Sequence, residues 1–387
     1  MTNRSTSVDV AVIGGGVIGL GVAWRAAQRG MRVVLLERDR AGSGTSRVAA
    51  GMLAPITEAD PREQPLLALG QASAAAYPRF VEELSEASGM NPGYLPCGTL
   101  MVARDADESE ALERELAMRE GLGLPVQRLR ASEARRLEPA LAPSLRLALE
   151  IPGDHVIEPD RLIAALAAGL VRAGGELRDR TVVADVLVEA RRVTGVRLRD
   201  GSELRAEHVV IAAGIWSGQI GGLPADARVP LRPVKGQVLR LHDPAGPGLL
   251  TRIIRMPPGY IAPRGDGRYA LGATMEERGF DTTVTAGAVF ELLRDALELV
   301  PGASELVIDE LCAGLRPGTP DNLPAIGTGA LAGLHWAVGH HRNGILLTPV
   351  TAELLAAELA GESAPALAAA FDPGRFAATP ATVGGGA

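Results

Sequence analysis

The stretch from Val8 to Glu37, VDVAVIGGGVIGLGVAWRAAQRGMRVVLLE, constrains the fold more than any other part of the chain. Asp9 to Ile13 reads as a buried strand, a short apolar run rich in β-branched residues that ends in glycines. Gly14, Gly16 and Gly19 then supply G-x-G-x-x-G, and the pattern predicts a helix from Val17 to Arg29 stopped by Gly30. Arg32 to Leu36 is a second strand, closed by Glu37. Each glycine has a separate task. The first permits a tight turn, the second lets backbone approach a pyrophosphate, and the third lets helix and strand pack closely. The N-terminus of the helix offers unpaired N–H groups and partial positive charge to phosphates. Glu37 is placed to accept hydrogen bonds from a ribose 2′-OH and disfavours a 2′-phosphate, so the dinucleotide is FAD or NAD rather than NADP.

Length and composition narrow the class. At 387 residues the chain is long enough for two or three domains. A net charge of −7 argues against a nucleic-acid or anionic-membrane surface. Cys97 and Cys312 form no C-x-x-C and no metal-like spacing, which suits a reducing compartment. The N-terminal residues do not read as a signal peptide, and no apolar run reaches the ~18 residues that span a bilayer. The expectation is a soluble cytoplasmic protein.

Past Glu37, RDRAGSGTSRVAAGMLAP is a small-residue loop able to line a flat ligand, with Thr45 and Ser46 as hydroxyl donors to phosphate. Helices are predicted over Pro65–Ser88, Glu108–Glu120, Ser132–Leu137, Asp160–Ala173, Val284–Val300 and Ile345–Leu359, and a strand over Gly98–Ala103. Leu177–Ile211 alternates like strand, with Thr194-Gly195 and Asp200-Gly201 as hairpin turns. Val229–Ala273 is strand-rich again, Glu305–Leu311 is a strand, and AGLRPGTPDNLPAIG reads as a Gly/Pro-rich loop holding Arg316. A polar lead (Met1–Ser7) and a small-residue tail are expected to be mobile. The chain therefore starts in a nucleotide unit, leaves, returns at His208–Gly214 and leaves once more. An NAD dehydrogenase usually keeps its nucleotide fold in one block. Repeated return is better explained by FAD, whose ring system reaches into a second domain.

Seven segments, in order, resemble one family: VIGGGVIG, TSRVAAGML, HVVIAAGIWS, PVKGQ, YIAPRGDGRYALGATM, AGLRPGTPDNLPAIG and GHHRNGILLTP. The chain resembles the amino-acid oxidase branch of FAD-dependent oxidoreductases, and within it the glycine oxidases of thiamine biosynthesis. The resemblance covers about residues 8 to 376. It implies an α/β fold in which a Rossmann-like FAD-binding domain (8–90, 150–225 and 325–376) is interleaved with a β-rich α+β substrate-binding domain (91–149 and 226–324), followed by a disordered tail (377–387). It implies noncovalent FAD contacts at Val17, Ile18, Glu37, Arg38, Thr45, Ser46, Ala50, Gly51, Met52 and Val183, and along His340, His341, Arg342, Asn343, Gly344, Ile345 and Leu346. Substrate contacts would be Arg316 and Arg342, with Tyr260 and Met275 lining the pocket. Where relatives carry a histidine near this tyrosine, Pro257, Pro258 and Gly259 stand here, which bears on side-chain tolerance. Cys312 lies two residues before the position used by relatives with covalent flavin, where Gly314 stands.

The residue chemistry agrees with that implication. A guanidinium fork matches a carboxylate bidentately, so Arg316 suits an amino acid's carboxylate, and Tyr260 can donate to the same group. Met275, on composition alone, reads as a core methionine. His340, His341 and His335 lack a metal-binding spacing, so no metal is expected. The implied reaction is oxidative deamination of glycine, sarcosine or D-alanine by hydride transfer to flavin N5, with O2 as acceptor and H2O2 as product. A homodimer or homotetramer is implied. A D-amino-acid dehydrogenase, an N-methyl-amino-acid oxidase and a noncatalytic FAD-binding subunit remain as alternatives.

Overall fold

The computed structural model describes residues 7–256, 259–363 and 365–377. The polar lead before Ser7, the Pro257-Pro258 pair and the tail from residue 378 lie outside the described residues. The fold is α/β, built on two eight-stranded sheets and a small three-stranded one.

The opening strand, Val8–Ile13, lies at the centre of the first sheet. It runs parallel to Val33–Leu36 on one side and to Glu203–Ile211 on the other. Val33–Leu36 pairs in turn with Glu176–Arg178, and Glu203–Ile211 with Leu334–Val338, so segments distant in sequence converge on one nucleus. All four residues of Val33–Leu36 are buried, as a parallel strand covered on both faces requires. The first helix, Val17–Gln28, is apolar almost all round and is buried almost all round. It packs between helices Pro159–Arg172 and Thr348–Leu359. Trp24 meets Phe80 of the long helix Gln64–Ser88 edge to face, with centroids 5.4 Å apart.

The second sheet takes residues from 99–151 and 232–318. Its edge strand, Val307–Gly318, pairs antiparallel along Arg232–His242, from Arg232 opposite Gly318 to His242 opposite Val307. Helix Ala286–Leu299 covers one face and buries Leu292, Ala296 and Leu299 against Leu239, Ile261 and Leu271. Among the described residues no helix is long and apolar enough to cross a membrane.

Three local expectations differ from what forms. Thr194-Gly195 is inside strand Arg192–Leu198, and the turn before it falls at Ala190-Arg191, both with positive φ. Gly195 instead marks close approach: a Cβ there would run into the Leu204 carbonyl oxygen, beside a register shift at Leu187/Val188. Asp200-Gly201 does join its two strands. The segment AGLRPG is the second half of the Val307–Gly318 strand rather than a loop, so Arg316 stands on a strand opposite Val234. Its glycine content reflects packing, since a Cβ on Gly314 would stand 3.0 Å from Val48. The closing helix begins at Thr348, where Pro349 fits the first turn, and residues 344–347 are turn. Ala325–Gly327, the end of the same expected loop, belongs instead to strand Ala325–Thr328 on Leu334–Val338.

Candidate active site

A cleft of about 370 Å³ runs from the glycine turn of the first sheet to the strands of the second. Its first end is the N-terminus of helix Val17–Gln28. Gly16 occupies the cap position and contributes no side-chain oxygen. The Ser46 hydroxyl accepts the Val17 N–H at 3.1 Å, which leaves its own proton available. Thr45 differs: its hydroxyl donates to the Leu315 carbonyl at 2.7 Å, tying the small loop to the second sheet. Glu37 accepts from Gly15 N–H at 2.6 Å and from Asp39 N–H at 2.9 Å. Those bonds hold the glycine turn and leave lone pairs free for a ribose hydroxyl. Arg38 lies 4.2 Å over the Trp216 ring, and both line this end together with Val183.

This end fits a dinucleotide. A Cβ on Gly16 would meet Ser46 Oγ at 3.1 Å, at the N-terminus of helix Val17–Gln28, where Gly14, Gly16 and Val17 line the cleft. Gly19 does not line the cleft; a Cβ there would run into the Gly14 carbonyl oxygen, so this position serves helix–turn contact. Ala50, Gly51 and Met52 line the middle. Cys312 is not among the lining residues, whereas Gly314 is.

The far wall is the run His340–Ile345, held from behind by buried hydroxyls. Tyr77 donates to the Ile345 carbonyl at 2.8 Å, Ser73 to the Leu346 carbonyl at 2.6 Å, and Thr348 to the Gly344 carbonyl at 2.9 Å. His340 Nε2 is 3.0 Å from Thr351 Oγ1. Leu346, expected at the ligand, faces away from the cleft and is buried in the core. His341 has φ of +49°, and burial beside Arg316 and Arg342 pushes its pKa down to about 4. It is a neutral imidazole at physiological pH.

Arg316, Tyr260, Met275 and Arg342 all line the cleft. The Arg316 side chain passes over Gly236, where any Cβ would strike the guanidinium. One of its terminal nitrogens donates to the Thr274 carbonyl at 3.1 Å and the Lys235 carbonyl at 3.3 Å. Those carbonyls are fixed in turn: Lys235 and Glu276 exchange backbone hydrogen bonds, and Gln237 N–H donates to Thr274 Oγ1 at 3.0 Å. The segment PVKGQ therefore positions the arginine. Among the described residues, no carboxylate lies within ion-pair distance of Arg316. Tyr260 is buried, and burial raises its phenol pKa despite the nearby Arg316 and Arg255. Met275 is not a core methionine; it is 62% exposed at the cleft mouth.

Two residues here were not singled out from sequence, Glu58 and Arg255. Glu58 Oε2 is 2.7 Å from Arg342 Nε, and Oε1 is 3.4 Å from an Arg255 terminal nitrogen. Arg255 pairs in register with Tyr260, and its guanidinium carbon stands 5.7 Å from that ring's centroid. The loop carrying Glu58 is fastened by Asp154, fully buried, which accepts Thr57 N–H at 2.7 Å and Ile56 N–H at 3.2 Å. The one available signal was an arginine ending an apolar strand just before the tyrosine.

A family model described as FAD dependent oxidoreductase matches residues 9–358. The chain is 38% identical over 362 residues to a glycine oxidase of Geobacillus kaustophilus, covering 92% of this chain and 93% of that one. A bifunctional ThiO/ThiG protein of Trichormus variabilis is 35% identical over 95% of this chain, which spans 55% of that longer protein. The crystal structure of glycine oxidase from Geobacillus kaustophilus superposes with a TM-score of 0.87 at 36% identity, covering 95% of this chain and 98% of that one.

Proposed function

Because this chain belongs to the FAD-dependent oxidoreductase family, we propose that it is an amino-acid oxidase acting on glycine and similarly small amines such as sarcosine and D-alanine. The observation that carries the reading is Arg316: a half-buried guanidinium, braced through one nitrogen by two backbone carbonyls and facing a cleft without a carboxylate partner among the described residues. A buried charge left unpaired is costly, so the site is built to receive an anion. The substrate carboxylate supplies it, and the Tyr260 hydroxyl donates to the same group.

FAD would be held, without a covalent bond, by the N-terminal N–H groups of the first helix, Ser46, Glu37 and the run His340–Ile345. When bound, it would supply the acceptor for the hydride that leaves the substrate's Cα–H bond while the amine lone pair turns the Cα–N single bond into the imine double bond. The protein's own share is placement and exclusion of water. Arg316 fixes one end of a small substrate, so its Cα has few positions to occupy. Among the described residues at the substrate end, His341 is neutral above about pH 4, burial moves the Tyr260 phenol upward, and the Glu58 carboxylate is paired with Arg342 and Arg255. The substrate amine must therefore arrive neutral. A cytoplasmic setting, self-association and a role in forming the thiamine thiazole go with this reading.

Oxygen uptake with glycine and release of peroxide test the activity, and their pH dependence tests the mechanism. The kcat/KM for glycine is expected to rise about tenfold per pH unit below the substrate's ammonium pKa, as the neutral amine becomes available. His341 is already neutral above about pH 4 and adds no inflection between pH 5 and 8. A bell-shaped profile with an acid limb near pH 6 or 7 would contradict a mechanism without an enzymic base.

A further inference from the structure

The substrate end of the cleft carries more positive charge than a simple amino acid can neutralise. Arg316, Arg342 and Arg255 line it, and among the described residues Glu58 is the one carboxylate within ion-pair distance of any of the three. Glu58 is shared between two arginines, close to Arg342 at 2.7 Å and looser to Arg255 at 3.4 Å. If the α-carboxylate of a substrate takes Arg316, one guanidinium remains without a full partner. Arg255 is the candidate: its side chain is 22% exposed, lies beside buried Tyr260, and has the longer of the two contacts with Glu58.

We propose that Arg255 is a specificity residue forming a second anion subsite, so that the preferred substrates are small amines with a second carboxylate on the nitrogen or side-chain substituent. The inference rests on the amino-acid oxidase reading above and on Arg316 as the α-carboxylate clamp. Glu58 then sets the strength of the subsite by competing for Arg255. A neutral substituent of the same size gains nothing from Arg255, so the subsite discriminates by charge rather than volume.

Two matched pairs test this. Sarcosine and iminodiacetate differ by one carboxylate as substrates; methoxyacetate and diglycolate differ likewise as ligands that cannot be oxidised. In the FAD-loaded protein, kcat/KM for iminodiacetate should exceed that for sarcosine, and diglycolate should perturb the flavin spectrum at lower concentration than methoxyacetate. Arg255→Met should lower both ratios about tenfold or more, and Glu58→Gln should raise them. If the wild-type protein oxidises sarcosine yet binds diglycolate no tighter than methoxyacetate, the second subsite is refuted and the oxidase reading survives. Ratios unchanged in Arg255→Met refute the assignment to Arg255. If glycine, sarcosine and iminodiacetate all leave the flavin unbleached without air, the reading beneath the proposal fails.

Discussion

Replacing Arg316 by alanine is expected to lower kcat/KM for glycine about 10²–10³-fold, mainly through KM, while the purified protein stays yellow. Losing one partner of a desolvated charge pair costs roughly 2–5 kcal/mol, and each 1.36 kcal/mol is tenfold in rate. The effect belongs to substrate because the Arg316 guanidinium spends one nitrogen on the Thr274 and Lys235 carbonyls and has no carboxylate partner among the described residues. Cofactor retention should survive, since the glycine turn, Glu37 and Ser46 lie at the other end of the cleft. Arg316→Lys should recover only part of the loss, because an ammonium supplies a point charge where the fork supplies two parallel donors. Steady-state kinetics checks this; a KM within threefold of wild type in the alanine variant would remove Arg316 from substrate binding.

The second large effect is on the cofactor and on stability together. Gly19→Ala should yield protein with little flavin and a clearly lowered Tm. A Cβ at Gly19 runs into the Gly14 carbonyl oxygen, and that neighbour is backbone rather than the end of a flexible side chain. Either the first helix moves away from the central strand or the glycine turn opens. Both spoil the N–H cradle, and overpacking of this kind costs about 3 kcal/mol or more. Gly30→Ala is the control: its φ of +83° strains an alanine, but a Cβ there meets nothing within 4 Å. That variant should lose about 1 kcal/mol and keep its colour. Flavin-to-protein absorbance ratios and thermal melts decide; a Gly19→Ala protein as yellow and as stable as wild type would contradict the packing role.

The nucleotide half of the fold was legible because its signals are local. Strand, glycine turn, helix, strand and acid stand in register within Val8–Glu37, and every one of those elements forms. The second half was harder because its glycines carry two meanings. Gly195 and Gly314 read as turn or loop residues, yet each allows another part of the chain to come close to a strand. Composition could not tell these uses apart, since the second depends on what lies across the sheet. The site divides the same way. Arg316, Tyr260 and Arg342 stood in segments with family resemblance, and they converge on one cleft. Arg255 and Glu58 belong to no such segment. Their importance is a matter of distance, set when the loop held by Asp154 meets the strand Ile253–Arg255. Met275 shows the converse: its hydrophobicity suggests core, and the register of the Lys235–Glu276 bridge puts it at the mouth.

Whether this cleft oxidises a small amino acid held by Arg316 is decided by anaerobic titration of the yellow protein with glycine while the flavin band is followed. Bleaching that saturates with glycine is expected, with full recovery when air is admitted and one peroxide released per flavin. A spectrum unchanged by glycine, sarcosine, D-alanine and iminodiacetate alike would contradict that expectation.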